Sequence, residues 1–167
     1  TGFGCSLVAD GKPYCGSDSS GGLLGGHISI DRNGPECSCG NKGCLEGYCS
    51  ATALTKKVIE SHSDISSSAE VLSEFFGRVK SGKEEYLKTF NQFIDDLSIG
   101  IVNAIHAYGP DTVVLGGGVM NSADIILPPL IKIVHRRAWT VPKNKVQIKK
   151  SVLGNNAAAI GVAFLEN

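Results

Sequence analysis

Three cysteines crowd into eight residues within GPECSCGNKGCLEG, residues 34–47, at the spacing Cys-x-Cys-x4-Cys. No other feature constrains the fold as strongly. Thiols set this close together hold something, react, or are packed there by accident. Thiolates and imidazoles are the usual zinc ligands, and a structural site takes four of them in a tetrahedron. Cys37, Cys39 and Cys44 supply three, and Gly40 and Gly43 let the backbone fold tightly around a common centre. The fourth ligand is expected nearby. His27, ten residues before Cys37, is the nearest histidine, whereas His62, His106 and His135 lie in helical runs that have other uses. A redox pair would want Cys-x-x-Cys near a helix start, which the stretch lacks. Packing alone seldom sets three cysteines at such spacing. The loop therefore reads as a metal site, with His27 the nearest candidate for the fourth ligand.

Cys5, Cys15 and Cys49 read differently, as small apolar residues on two hairpin strands and a helix border. Six cysteines could make three disulfides in a secreted protein. Here none follows Cys49, and 167 residues are enough to build a core without staples. A reducing cytoplasm is the expected location. Apolar residues at 42% and charged residues at 19% give a globular balance. The 16 basic and 16 acidic side chains cancel and form no basic stripe, so nucleic-acid binding by this segment has no electrostatic support. No apolar run reaches the ~18 residues a membrane-spanning helix needs. The first residues, TGFGCSLVADGKPYCG, lack a basic n-region and an apolar h-region. They read as a chain entered in mid-motif rather than as a signal peptide.

Along the chain, residues 3–9 and 12–16 form two extended runs around Asp10-Gly11, a hairpin signal. Residues 17–26 read as a Gly/Ser loop, and HISID, residues 27–31, as a short strand. Helices are expected over 50–61, with Ser50 as N-cap, and over 69–80, stopped by Ser81-Gly82. Residues 84–108 carry the longest periodic pattern: Tyr86, Leu87, Phe90, Phe93, Ile94, Leu97, Ile101, Val102 and Ile105 recur at helical steps until Gly109-Pro110. DTVVLGGGV reads as a buried parallel strand leaving into a ligand loop. A helix over 123–138, interrupted or started by Pro128-Pro129, a strand KVQIKKS and a last helix NNAAAIGVAFLE complete an α/β domain with a partly parallel sheet.

The stretch GGHISIDRNGPECSCGNKGCLEGYCSATAL resembles the signature of the ROK (repressor, open reading frame, kinase) family, and the resemblance extends over almost the whole chain. It implies the C-terminal lobe of an actin-like ATPase (ribonuclease H-like) sugar kinase fold. Residues 1–167 would be a single lobe, with a zinc loop at about 27–46 and the N-terminal lobe outside this chain. In that family the loop is a zinc site of one His and three Cys, matched by His27, Cys37, Cys39 and Cys44. TGFGCSLVADGKPYCGS resembles the family's phosphate-contacting hairpin, which implies ATP contact by Thr1, Gly2 and Gly4. VVLGGGVMNS resembles its adenine-side glycine loop, which implies contact by Gly116, Gly117 and Gly118. LGNNAAAIGVAFL resembles its closing helix.

Family members bind a hexose between two lobes through a Glu three before the His, the His itself, and the Glu two after the last Cys. Those positions hold Leu24, His27 and Glu46 here. An apolar side chain therefore stands where a carboxylate would grip two hydroxyls, a change that costs about 1.5–3 kcal/mol when a charged hydrogen bond is lost. The resemblance also implies Mg²⁺, a homodimer formed through this lobe, and a catalytic Asp in an Asn-Asp motif of the N-terminal lobe, beside an Asp-x-Gly-x-Thr loop. Neither motif is in this chain. Asp95 and Asp96 read instead as the solvated face of a helix. The expectation is a lobe of a kinase for a hexose or N-acetylhexosamine, with no catalytic residue of its own and no turnover alone. The alternative is the sugar-sensing domain of a ROK transcriptional repressor, which carries a helix-turn-helix ahead of the same lobes. A zinc-stabilised scaffold without ligand is a third reading. The glycine loops favour the kinase.

Overall fold

The longest periodic segment becomes the spine of the molecule. In the computed structural model, which describes residues 2–16, 22–65, 70–157 and 160–161, a helix spans Glu84–Tyr108 and buries Tyr86, Phe90, Phe93, Leu97, Ile101 and Ile105 along one face. This is helix α4. Gly109 ends it in the left-handed conformation, its N–H donating to the Ile105 carbonyl at 2.9 Å.

Before it come α1 (Glu46–Cys49), α2 (Ala51–Ser61) and α3 (Val71–Lys80). Ser50 caps α2: its Oγ accepts the Ala53 N–H at 3.1 Å. Helix α3 stops at Ser81-Gly82, as its sequence predicts. The expected start of α3 at residue 69 lies outside the described residues. One hydrophobic core joins these helices to α5 (Ala123–Arg137). α5 runs through Pro128 and Pro129, because Ile126, Leu130 and Val134 bury fully on its inner face.

The sheet content is small. β1 (Val8–Ala9) and β2 (Lys12–Pro13) pair antiparallel around Asp10-Gly11. Both turn residues have positive φ, which gives a two-residue hairpin its twist. β3 (Thr112–Leu115) and β4 (Gln147–Lys150) pair parallel, with α5 as the crossover between them. The α/β reading holds. The expected strand at 27–31 does not form. Gly25–His27 is a 3₁₀ turn, and only Ser29 pairs, in a single bridge to Cys44. The turn places His27 Nδ1 3.5 Å from Cys37 Sγ of the cysteine loop. Of the expected last helix, residues 154–156 form a 3₁₀ turn and 157, 160 and 161 are helical. Residues 158, 159 and 162–167 lie outside the described residues.

Candidate metal centre and the cavities beside it

The loop between His27 and Glu46 is held by its own backbone. The Cys37 N–H donates to the Asn41 carbonyl at 2.8 Å, the Gly43 N–H to Pro35 at 2.8 Å, and the Leu45 N–H to Ile28 at 3.0 Å. Gly43 has φ of 65°, and a Cβ there would lie 1.7 Å from the Asp31 carbonyl oxygen. No other residue fits that approach.

These constraints gather His27, Cys37, Cys39 and Cys44, whose ligand atoms all lie within 4.8 Å of one another. His27 Nδ1 is 3.5 Å from Cys37 Sγ, and Cys39 Sγ is 3.6 Å from Cys44 Sγ. A tetrahedral zinc centre with ordinary bond lengths has S···S edges of about 3.8 Å and N···S edges of about 3.6 Å. The four side chains fit a metal ion in both donor type and spacing. Their thiols differ in character. The Cys39 backbone N–H, then His27, holds the Cys37 thiol down to about 6. Burial, then the neighbouring thiols, pushes Cys44 up to about 12. Metal binding would release the remaining thiol protons. The other histidines are engaged elsewhere: His62 with Thr89 at 3.0 Å, His106 with the Trp139 N–H at 2.9 Å, and His135 with the Val146 carbonyl at 3.0 Å.

Glu46 follows directly. Leu45 is 4% exposed and packs so close to Gly100 of α4 that a Cβ there would come within 2.3 Å of its Cδ2. The Glu46 carboxylate Oε2 accepts the Phe3 N–H at 2.8 Å, across 43 residues of sequence. No sequence signal marks that bond, since it depends on where the first strand run passes. A Cβ on Gly2 would meet the same oxygen at 2.8 Å.

Glu46 and His27 line a cavity of about 560 Å³ together with Gly2, Gly4 and Leu24. Glu46 and Gly2 also border a second cavity, of about 390 Å³, against Cys37, Cys44, Ser50 and Lys56. The structure thus brings together His27, Glu46, Gly2, Gly4 and the metal group. It places Gly116, Gly117 and Gly118 elsewhere, at the C-terminal end of β3, and they line neither cavity. Val152 and Leu153 are exposed just past β4, at the same end of the parallel pair. Thr1 lies outside the described residues.

Two other readings change. All six cysteines are free, but Cys5 and Cys15 are exposed, and only Cys49 is the buried apolar residue expected. The first strand run is too short to be covered. Asp95 and Asp96 are half-buried rather than on a solvated face. Asp95 binds Arg137 of α5 at 2.6 Å, and burial raises Asp96 above the ordinary carboxylate range.

A parallel strand pair with a crossover helix, and a His/Cys₃ group beside a cavity with a carboxylate, define a mixed α/β unit whose loop could hold a metal ion. The ROK family profile matches residues 1–167, and the chain belongs to the ROK family. It is 31% identical to a glucokinase of Thermotoga maritima, covering 99% of this chain and 55% of that protein. It is 30% identical to the xylose repressor of Bacillus subtilis, covering 99% of this chain and 41% of that protein. A crystal structure of a ROK hexokinase from Thermus thermophilus matches 99% of this chain and 55% of its own, with TM-score 0.82 and 27% identity. The chain therefore spans about half the length of the relatives it matches. Among the described residues, no helix is long and apolar enough to cross a membrane.

Proposed function

We propose that residues 1–167 form the zinc-containing C-terminal lobe of an ATP-dependent sugar kinase acting on a hexose or N-acetylhexosamine. The observation that carries this reading is that Glu46 and His27 share one cavity, at the two ends of the loop that carries the His/Cys₃ cluster. Bound zinc would supply a fixed structural anchor for the loop. His27 turns Nδ1 toward Cys37, which leaves Nε2 for a ligand and fixes its ring. Glu46 spends Oε2 on the Phe3 N–H and keeps Oε1 for a sugar hydroxyl, a charge-assisted bond.

Backbone N–H groups around Thr1, Gly2 and Gly4 suit phosphate oxygens. The loop Gly116, Gly117 and Gly118, at the C-terminal ends of a parallel pair and against Ser151, suits a nucleotide. The base that takes the hydroxyl proton, and the loop that meets the Mg²⁺-bound phosphates, belong in this reading to the N-terminal lobe. The same reading includes a homodimer and a cytoplasmic site of action.

The full-length gene product is predicted to phosphorylate a hexose or N-acetylhexosamine in a coupled ATP assay, and residues 1–167 alone to give no turnover. Turnover by residues 1–167 alone would contradict the assignment of the base. A second reading, the sugar-sensing lobe of a repressor, is supported by the 30% identity to a xylose repressor over 99% of the chain. Sugar binding by the full-length product without ATP turnover would favour it.

A further inference from the structure

The lining of the cavity beside the metal loop divides by chemistry. Glu46 and His27 supply its polar side chains, while Phe3, Cys5, Leu23 and Leu24 supply apolar ones. Leu24 is 72% exposed, so its branched side chain is left for a ligand to cover. Its backbone is not free to swing away. The Leu24 carbonyl accepts the His27 N–H at 2.8 Å, so one 3₁₀ turn carries both residues. Cys5 sits against the same turn, for a Cβ on Gly25 would come within 2.8 Å of its Sγ. A ligand hydroxyl pressed on this surface loses its hydrogen bonds to water and finds no partner, whereas an alkyl group there gains by burial.

We infer that the cavity selects a sugar that offers hydroxyls to Glu46 and His27 and turns an apolar substituent, an acyl or alkyl group in place of a hydroxyl, toward Leu24. The inference rests on the sugar reading above. It makes Leu24 a residue that determines specificity.

The test is calorimetric titration of the full-length gene product and its Leu24→Glu variant with parent hexoses and their N-acetyl and deoxy counterparts. The wild type is expected to bind at least one substituted sugar about tenfold more tightly than its parent. Leu24→Glu is expected to abolish or reverse that preference with an unchanged melting temperature, because the side chain is exposed. If the variant fails to fold, Leu24→Ser should erode the preference in the same direction. The inference is overturned, with the sugar reading intact, if parent hexoses bind the wild type as tightly as every substituted sugar. It is equally overturned if substitution at Leu24 leaves the preference unchanged. Absence of binding by every sugar would overturn both.

Discussion

At the scale of single residues, the His27, Cys37, Cys39 and Cys44 cluster depends on Gly43 as much as on its own members. Its left-handed backbone and the 1.7 Å approach of the Asp31 carbonyl oxygen leave no room for a side chain. Gly43→Ala should cost on the order of 3 kcal/mol and lower metal content, read by thermal melting and by metal analysis of the purified protein. Cys44 is buried while Cys39 is exposed. Cys39→Ser and Cys44→Ser should both abolish stoichiometric zinc, and Cys44→Ser should lower the melting temperature more, since it also alters a packed site. Retention of one zinc per chain by either variant would remove that cysteine from the ligand set. The clustering of His27, Cys37, Cys39 and Cys44 was legible because thiolate chemistry restricts spacing. The Phe3 N–H on Glu46 was not legible, because a backbone donor leaves no mark in the sequence of its distant acceptor.

At the scale of elements, legibility followed periodicity and caps. α4 runs over Glu84–Tyr108 as its apolar spacing predicts, and α2 begins after its Ser50 cap. The short run at residues 27–31 misled, since four or five apolar-alternating residues fit a strand until a tertiary demand, here the cysteine loop, bends them. Ser50→Ala should cost about 1 kcal/mol through the lost α2 cap, measurable as a lowered denaturant midpoint with an unchanged slope.

The α2–α3–α4 junction holds a polar cluster that no sequence pattern announced. The Tyr86 hydroxyl donates to Asp64, Arg78 lies 3.7 Å from the same carboxylate, and His62 stacks on Tyr86 at 4.5 Å. The Tyr86 bond, then a bond from its own backbone N–H, then the Arg78 charge, hold the Asp64 carboxyl below the usual range against the opposing effect of burial. A lowered carboxylate pKa stabilises the fold above the unfolded value, about 3.9, and that contribution is lost as pH falls through the folded value. Wild type and Asp64→Asn should therefore differ most near neutrality and converge in acid, followed by denaturant midpoints across that range. A constant difference would assign the effect to packing.

At the scale of the whole molecule, two regions share one chain but not one source of order. The helices rest on the apolar core around α4, whereas the loop that carries His27 and Glu46 rests on turns and two isolated bridges, and its His/Cys₃ cluster is placed to take a metal ion. Chelation should thus lower the melting temperature while leaving most far-ultraviolet helical signal in place. Loss of the helical signal on chelation would mean that the metal holds the core.

If zinc fills the His/Cys₃ cluster, it holds His27 and Glu46 in place as a sugar-binding pair. The most direct test is the sugar affinity of the full-length gene product, measured by titration calorimetry on zinc-loaded, zinc-stripped and reloaded protein. Affinity is expected to fall by at least about tenfold on stripping, the scale of one lost charge-assisted contact, and to return on reloading. Equal affinity in all three states, or no sugar binding in any, would contradict this.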